Sequence, residues 1–457
     1  MVTPEGSEPP ATGRLMHGLS ARLVPALLAA LLGLALLLAG CSGDDAPKRT
    51  AEEEAYWADE VGRWHEGGWR EVSAEDEEAL TREQFREIQR LASIGYLTGS
   101  TPPALSAGIT VYDRALTYEG LNFFTSGHMP GAILMDMSGR TLHEWRYRFI
   151  DAWDEYPGEE LPPHNKAIGY WRRAYPFPNG DVLAIFEGVG IIKVDRDSNL
   201  LWANFNAAHH DLEVMPDGTI YTLTRTAHML PRISEEKPIL EDFITVMDED
   251  GNELRSFSLL EAFENSRFAG VLEGMKPDGD IFHTNTIEIL DGTLDGKVTG
   301  FRTGNALVSM RELGVLAVVD MTTEKVVWAL RGNWVAQHQP TVLPDGNMML
   351  FDNRGNRGGS RVVVFDPATR QTMWTYAPAE QSEFFSNECG SSAILPNGNV
   401  LITESDRGKA FEVTQDKTIV WKYINPSQAG DRRQFVATIF EMLRLERDYG
   451  ADWLRRY

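Results

Sequence analysis

The 457-residue chain has little cysteine: two residues, Cys41 and Cys389. No disulfide framework can be built from them, even in an oxidising compartment, so stability has to come from packing. Net positive charge is missing as well. Acidic residues number 67 against 43 basic ones, for a formal charge of −24. Such a surface repels phosphate backbones and anionic lipid headgroups, which excludes a nucleic-acid partner and means that an anionic substrate needs a local basic pocket. Long hydrophobic runs are scarce, and the one that stands out is Leu23 to Ala39.

Arg14 and Arg22 precede that run, which ends Leu38-Ala39-Gly40-Cys41 before Ser42-Gly43-Asp44-Asp45. The pattern resembles a bacterial lipoprotein signal. It implies removal of residues 1–40, lipidation of Cys41, and an envelope protein held by a lipid anchor and facing the periplasm. The competing reading is an uncleaved span, since about 18 apolar residues just reach across a bilayer.

What the chain has in quantity is a repeat. Pro178-Asn179-Gly180-Asp181, Pro216-Asp217-Gly218-Thr219, Pro277-Asp278-Gly279-Asp280, Pro344-Asp345-Gly346-Asn347 and Pro396-Asn397-Gly398-Asn399 each sit between apolar or alternating runs. Asn-Gly and Asp-Gly accept positive φ cheaply and mark hairpins. A second phrase recurs from Asp136 to Trp145, Asp195 to Trp202, Asp248 to Phe257, Asp320 to Trp328, Asp366 to Trp374 and Thr414 to Trp421. Two hairpins per unit make four strands, and four-stranded units at this period predict a six-bladed β-propeller over 108–426. The first unit lacks its own Pro-Asx-Gly turn, and Gly108 to Thr125 is read as its apolar lead-in.

Residues 41–107 are read as a lipidated N-terminus, helical spacer and linker, with Phe85, Ile88, Leu91 and Ile94 at helical spacing. The tail, 427–457, carries Phe435, Ile439, Leu443 and Leu445, which predicts an amphipathic C-terminal helix that lines one face or meets a partner, a second copy in a homodimer included.

In a propeller, residues flanking the inner hairpin meet at one mouth of the axial channel. Arg172, His210 and His338 each stand six positions before a repeat proline. On the return strands this register places His283, Asn353 and Glu404. Arg354 and Asn285 adjoin them, giving a constellation of His210, His283, Asn285, His338 and Asn353 with Arg nearby.

At these positions His209-His210-Asp211, His283-Thr284-Asn285, Val308-Ser309-Met310-Arg311, Gln337-His338-Gln339 and Phe351-Asp352-Asn353 resemble the motif series of bacterial arylsulfotransferases, across roughly Leu121 to Pro426. The resemblance implies a six-bladed enzyme that moves a sulfuryl group from a phenolic sulfate to a phenol acceptor through a sulfated histidine, without a nucleotide donor, metal or other cofactor. Matched motif to motif, His338 is the nucleophile, His210 and His283 accompany it, Asn285 supplies an amide, and Arg311, or Arg302 in its place, holds the sulfate. Asn353, Arg354, Glu404 and Arg172 would contact substrate. The cysteine pair that some relatives use to tie an active-site loop is absent.

The chemistry asks for these types independently. A neutral imidazole attacking sulfur splits one slow transfer into two steps. Fixed Arg and Asn donors stabilise charge spreading over the sulfuryl oxygens, and a second imidazole shuttles the phenol proton. His128, His143 and His209 are read as structural, Cys389 as a small buried hydrophobe, and the repeated Trp as blade packing. Two other readings stay open: a noncatalytic envelope scaffold or ligand-binding module, because fold does not imply activity, and a three-histidine metal site.

Overall fold

The computed structural model describes residues 84, 87, 88, 90, 91, 99–153, 166–380, 383–430 and 432–454. Cys41 and the leader lie outside them. Six antiparallel sheets form the blades of a propeller. Blades two to six run in chain order, each starting at its innermost strand: Arg173–Pro176, Ala208–Val214, Thr284–Ile289, His338–Val342 and Ser391–Ile394. Blade one comprises Leu121–Ser126, Gly131–Met135 and Thr141–Arg146, and its innermost strand is Ile439–Leu445 from the far end of the chain.

That strand corrects the expected C-terminal helix. Phe435 to Arg447 has helical spacing of four apolar residues, yet Phe440 and Met442 between them are also buried. A segment apolar at nearly every position suits a strand enclosed on both faces better than a one-sided helix. It pairs antiparallel with Leu121–Ser126 and closes the ring. The predicted lead-in is also reassigned: Gly108–Tyr112 pairs with Ile419–Ile424 as a fifth, outer strand of blade six. The propeller therefore extends beyond residue 426, to Leu445. Of the predicted helix near residue 88, the described residues Gln84, Glu87, Ile88, Arg90 and Leu91 are helical, and Leu91 packs with Ala227 and Leu240. Among the described residues no helix is long and apolar enough to cross a membrane.

Six apolar clusters fill the six gaps between blades. In Val182–Phe186, Val182, Ala184 and Phe186 face blade one while Leu183 and Ile185 face blade three. In Val315–Asp320, alternate residues divide in the same way between blades three and five. Period-two side chains buried on both faces explain why the middle strands read as unbroken apolar runs.

The recurrent Trp staple consecutive blades. Nε1 of Trp145 donates to the Gly180 carbonyl at 2.8 Å, and Nε1 of Trp421 donates to Met137 at 3.0 Å across the closure. The Asp that opens five of the six second phrases caps its own turn, as Asp195 Oδ1 does by accepting from Asp197 N and Asn199 N. Gly180 and Gly346 sit at φ of 91° and 84°, where a Cβ would be strained. Pro277 is the exception among the turn copies. Gly279–Asp280 forms a short parallel strand beside Ile239–Met247, and the inner hairpin of blade four is closed by the loop between Ile289 and Ala306.

Candidate active site

Each blade sends two neighbouring residues into one cavity on the propeller axis: Arg172 and Arg173, His210 and Asp211, Asn285 and Thr286, His338 and Gln339, Gly390 and Ser391, Phe440 and Glu441. The backbone explains why these side chains leave the ladder. The inner strands of blades three, four and five carry β-bulges opposite Thr222/Leu223, at Thr284/Thr286 and at His338/Thr341, and His210, His283 and Gln339 have φ of 54°, 52° and 44°. Bulges of this kind re-aim side chains.

The cavity floor is a closed ring of polar contacts. Arg173 Nε lies 2.9 Å from Asp211 Oδ1, and its guanidinium also pairs with Glu441. Gln339 Nε2 donates to Glu441 at 2.6 Å, while the Gln339 amide N donates to Thr286 Oγ1 at 3.0 Å. Asp211 accepts from Ile287 N, and Gln339 Oε1 from Ser392 N. All six innermost strands are thus cross-linked, and no carboxylate of the ring lacks a partner.

Above the floor stand the histidines. His338 is 3% exposed. Its Nδ1 lies 2.8 Å from Asn353 Oδ1 and 3.0 Å from the Ala336 carbonyl, and Asn353 Nδ2 donates to the carbonyls of Ser386 and Cys389. Its Nε2 is buried with no hydrogen-bond partner among the described residues. Burial, then the Arg311 and Arg172 charges, pushes the ring well below the ordinary imidazole value. His338 is therefore neutral, with Nδ1–H committed and the Nε2 lone pair available.

His283 corrects the register read from the sequence. It precedes the innermost strand of blade four rather than lying on a return strand, and the place that His210 and His338 hold in their blades is held in blade four by Asn285. Nδ1 of His283 is 2.6 Å from Asp280 Oδ2. Burial opposes ionisation of Asp280, but the His283 and Arg225 charges hold it at about 2. The His283 ring meets His210 edge-on at 4.9 Å. His210 Nδ1 lies 2.8 Å from His209 Nδ1 and 3.3 Å from Glu187 Oε1. Burial, with the His283 and Arg172 charges, pushes His210 well down.

Arg311 follows the second strand of blade four, Ala306–Met310, and does not line the cavity; its backbone N donates to the His283 carbonyl at 3.2 Å. Asn285 Nδ2 donates to the Gln337 carbonyl at 2.8 Å. Arg172 lies over the Phe440 ring at 5.2 Å and beside Glu187. Arg302 is exposed on the loop at the other end of its hairpin, and Arg354 is exposed and does not line the cavity. Glu404 is buried but engaged by Lys409, Arg407 and the Phe385 amide. Cys389 packs with Tyr170 and Phe440, and burial pushes its thiol up to about 12, so it is wall and not nucleophile. His128 and His143 hold Ser126 and the Arg196 carbonyl.

Sequence reading missed Glu187, Arg225, Asp280 and Phe440. The nine-residue offset from a repeat proline that selects Asn353 also selects Glu187 after Pro178 and Arg225 after Pro216. Asp280 stands three before His283. Phe440 was hidden by the helix reading. Glu187, His209 and His210 bring ligand-type atoms within 4.8 Å of one another, but Arg172 and Arg225 lie 3.5 and 3.8 Å from Glu187 and oppose a metal cation there.

Among solved structures, a protein of unknown function from Bacteroides caccae overlays with a TM-score of 0.46 at 12% identity, covering 71% of this chain and 98% of its own. Streptogramin B lyase gives 0.41 at 13% identity, covering 77% and 96%. A search of the curated proteins returns no match. The family model of the arylsulfotransferases matches residues 174–426. Spanning more than half of the sequence, that match establishes that the chain belongs to the arylsulfotransferase (ASST) family.

Proposed function

We propose that the protein moves the sulfuryl group of a phenolic sulfate ester to a phenolic acceptor through a sulfohistidine at His338, with no nucleotide donor. One observation carries the reading: a buried neutral imidazole with Nδ1 occupied and Nε2 without a partner among the described residues. In the first half-reaction the Nε2 lone pair attacks sulfur, the N–S bond forms, the aryl S–O bond breaks, and the departing phenolate takes a proton from His283. In the second, the acceptor phenol returns a proton to His283, its oxygen attacks sulfur, and the N–S bond breaks. Atoms and charge balance without an oxidant or reductant.

Asp280 at 2.6 Å supplies the counter-charge when His283 carries the proton, which favours His283 over His210 as acid and base. Arg172, Arg311 and Asn285 are the donors for the sulfuryl oxygens. A lipid anchor at Cys41 and a periplasmic location rest on the leader sequence. Incubation with an aryl sulfate and excess phenol tests the reading: acceptor-dependent release of the donor phenol supports it, and a folded protein inert toward several donors leaves a binding scaffold.

A further inference from the structure

We propose that Glu388 is a displaceable counter-ion of Arg311, occupying in the resting protein the position a sulfuryl group takes in the substrate complex and so setting the affinity for sulfate esters. The inference deepens the arylsulfotransferase reading and rests on it.

Arg311 is about one-tenth exposed and touches two carboxylates: Nη1 lies 2.5 Å from Glu312 Oε1, and Nη2 lies 3.0 Å from Glu388 Oε2. The two are not equivalent. Glu312 is also paired with Lys276, so its charge remains compensated whatever Arg311 does. Glu388 has Arg311 as its one ion-pair partner among the described residues, and its side chain is 30% exposed. The third donor of Arg311, Nε, is buried without a partner among the described residues.

Nε–H and Nη2–H point the same way and form the side-on fork of a guanidinium, the edge that grips two oxygens of an anion at once. Glu388 engages the Nη2 end of that fork. A sulfuryl group reaching Nε draws its second bond from Nη2, where it competes with the Glu388 carboxylate. The backbone is built for that exchange: the amides of Asn387 and Glu388 both donate to Asp406 Oδ2, at 2.7 and 3.2 Å, so the main chain stays fixed while the partly exposed side chain, on leaving Arg311 and the Asn387 side-chain amide that donates to its Oε1, swings to solvent. The next residue, Cys389, accepts from the Asn353 amide that orients His338, which places the exchange beside the nucleophile.

The test compares wild-type protein with Glu388→Gln, and with Glu388→Ala as a second variant, in two assays. The first measures KM and kcat with an aryl sulfate; the second measures calorimetric binding of inorganic sulfate, which needs no turnover. In both variants KM and the Kd for sulfate are expected to fall, by roughly fivefold to tenfold for loss of a competing charged hydrogen bond. A merely structural Glu388 would instead lower kcat and raise KM together. Sulfate affinity that is unchanged or weaker in folded variants overturns the inference. Tighter sulfate without turnover in any protein keeps the exchange and removes the transferase reading, whereas turnover with unaltered KM and sulfate affinity does the reverse.

Discussion

Asn353 decides which nitrogen of His338 is available. Its Nδ2 donates to two backbone carbonyls, so its Oδ1 must face His338 Nδ1, at 2.8 Å. The Nδ1–H tautomer follows, and with it a lone pair on Nε2. Asn353→Ala is expected to lower kcat by about 10- to 100-fold, the usual cost of losing a group that orients a reacting imidazole. The loss should appear in kcat more than in KM, and single-turnover kinetics would check it.

The His283–Asp280 pair makes a separate prediction about leaving groups. Without a proton donor, departure depends on how stable the phenolate is by itself. His283→Ala and Asp280→Asn should therefore lose little with nitrophenyl sulfate and roughly 100-fold or more with the sulfate of an unactivated phenol. His210→Ala should lower both rates alike. A plot of log kcat/KM against leaving-group pKa separates the cases, and equal slopes for wild type and His283→Ala would remove His283 from the role.

Two sets of buried groups oppose each other in the dependence of stability on pH. His209, His210 and His338 are pushed well below the ordinary imidazole value, burial first. The unfolded chain gains protons at these positions as pH falls through about 6.5, while the folded protein does not, so stability is full above that value and lost below it. Glu288 runs the other way. Burial raises it to about 8 from 4.5, so the unfolded state alone releases a proton between those values and stability declines as pH rises through that window. Glu288→Gln, which keeps an acceptor for Val342 N, is expected to raise Tm at pH 8 and leave it nearly unchanged at pH 4. Thermal scans of both proteins at the two values decide it.

Closure of the ring by the C-terminal strand is testable by truncation. Removal of residues 437–457 strips blade one of Ile439–Leu445 and the cavity of Phe440 and Glu441. Loss of a cooperative unfolding transition is expected, where an appended helix would have been dispensable. Trp421→Phe, which leaves the Met137 carbonyl without its Nε1–H partner, should cost about 1–3 kcal/mol, measured by denaturant unfolding.

The fold was legible because Pro-Asx-Gly turns and Asp-to-Trp phrases are local signals, and six of them count six blades. His210 and His338 were legible for the same reason, since each keeps a fixed distance from a turn proline. His283 was misplaced because Pro277 resembles the other turns while the chain there runs parallel to Ile239–Met247, a pairing no local pattern announces. Phe440 and Glu441 were invisible because closure joins strands more than 300 residues apart in sequence, and an all-apolar stretch does not declare its period.

The most direct test of the central claim is to trap the intermediate. The protein is mixed with an aryl sulfate in the absence of acceptor, quenched, and the peptide containing His338 weighed at neutral to alkaline pH, then again after phenol is added. A sulfuryl adduct on that peptide that disappears on addition of phenol, and is absent in His338→Asn, is the predicted result. Donor cleavage that persists in a folded His338→Asn protein would contradict the account.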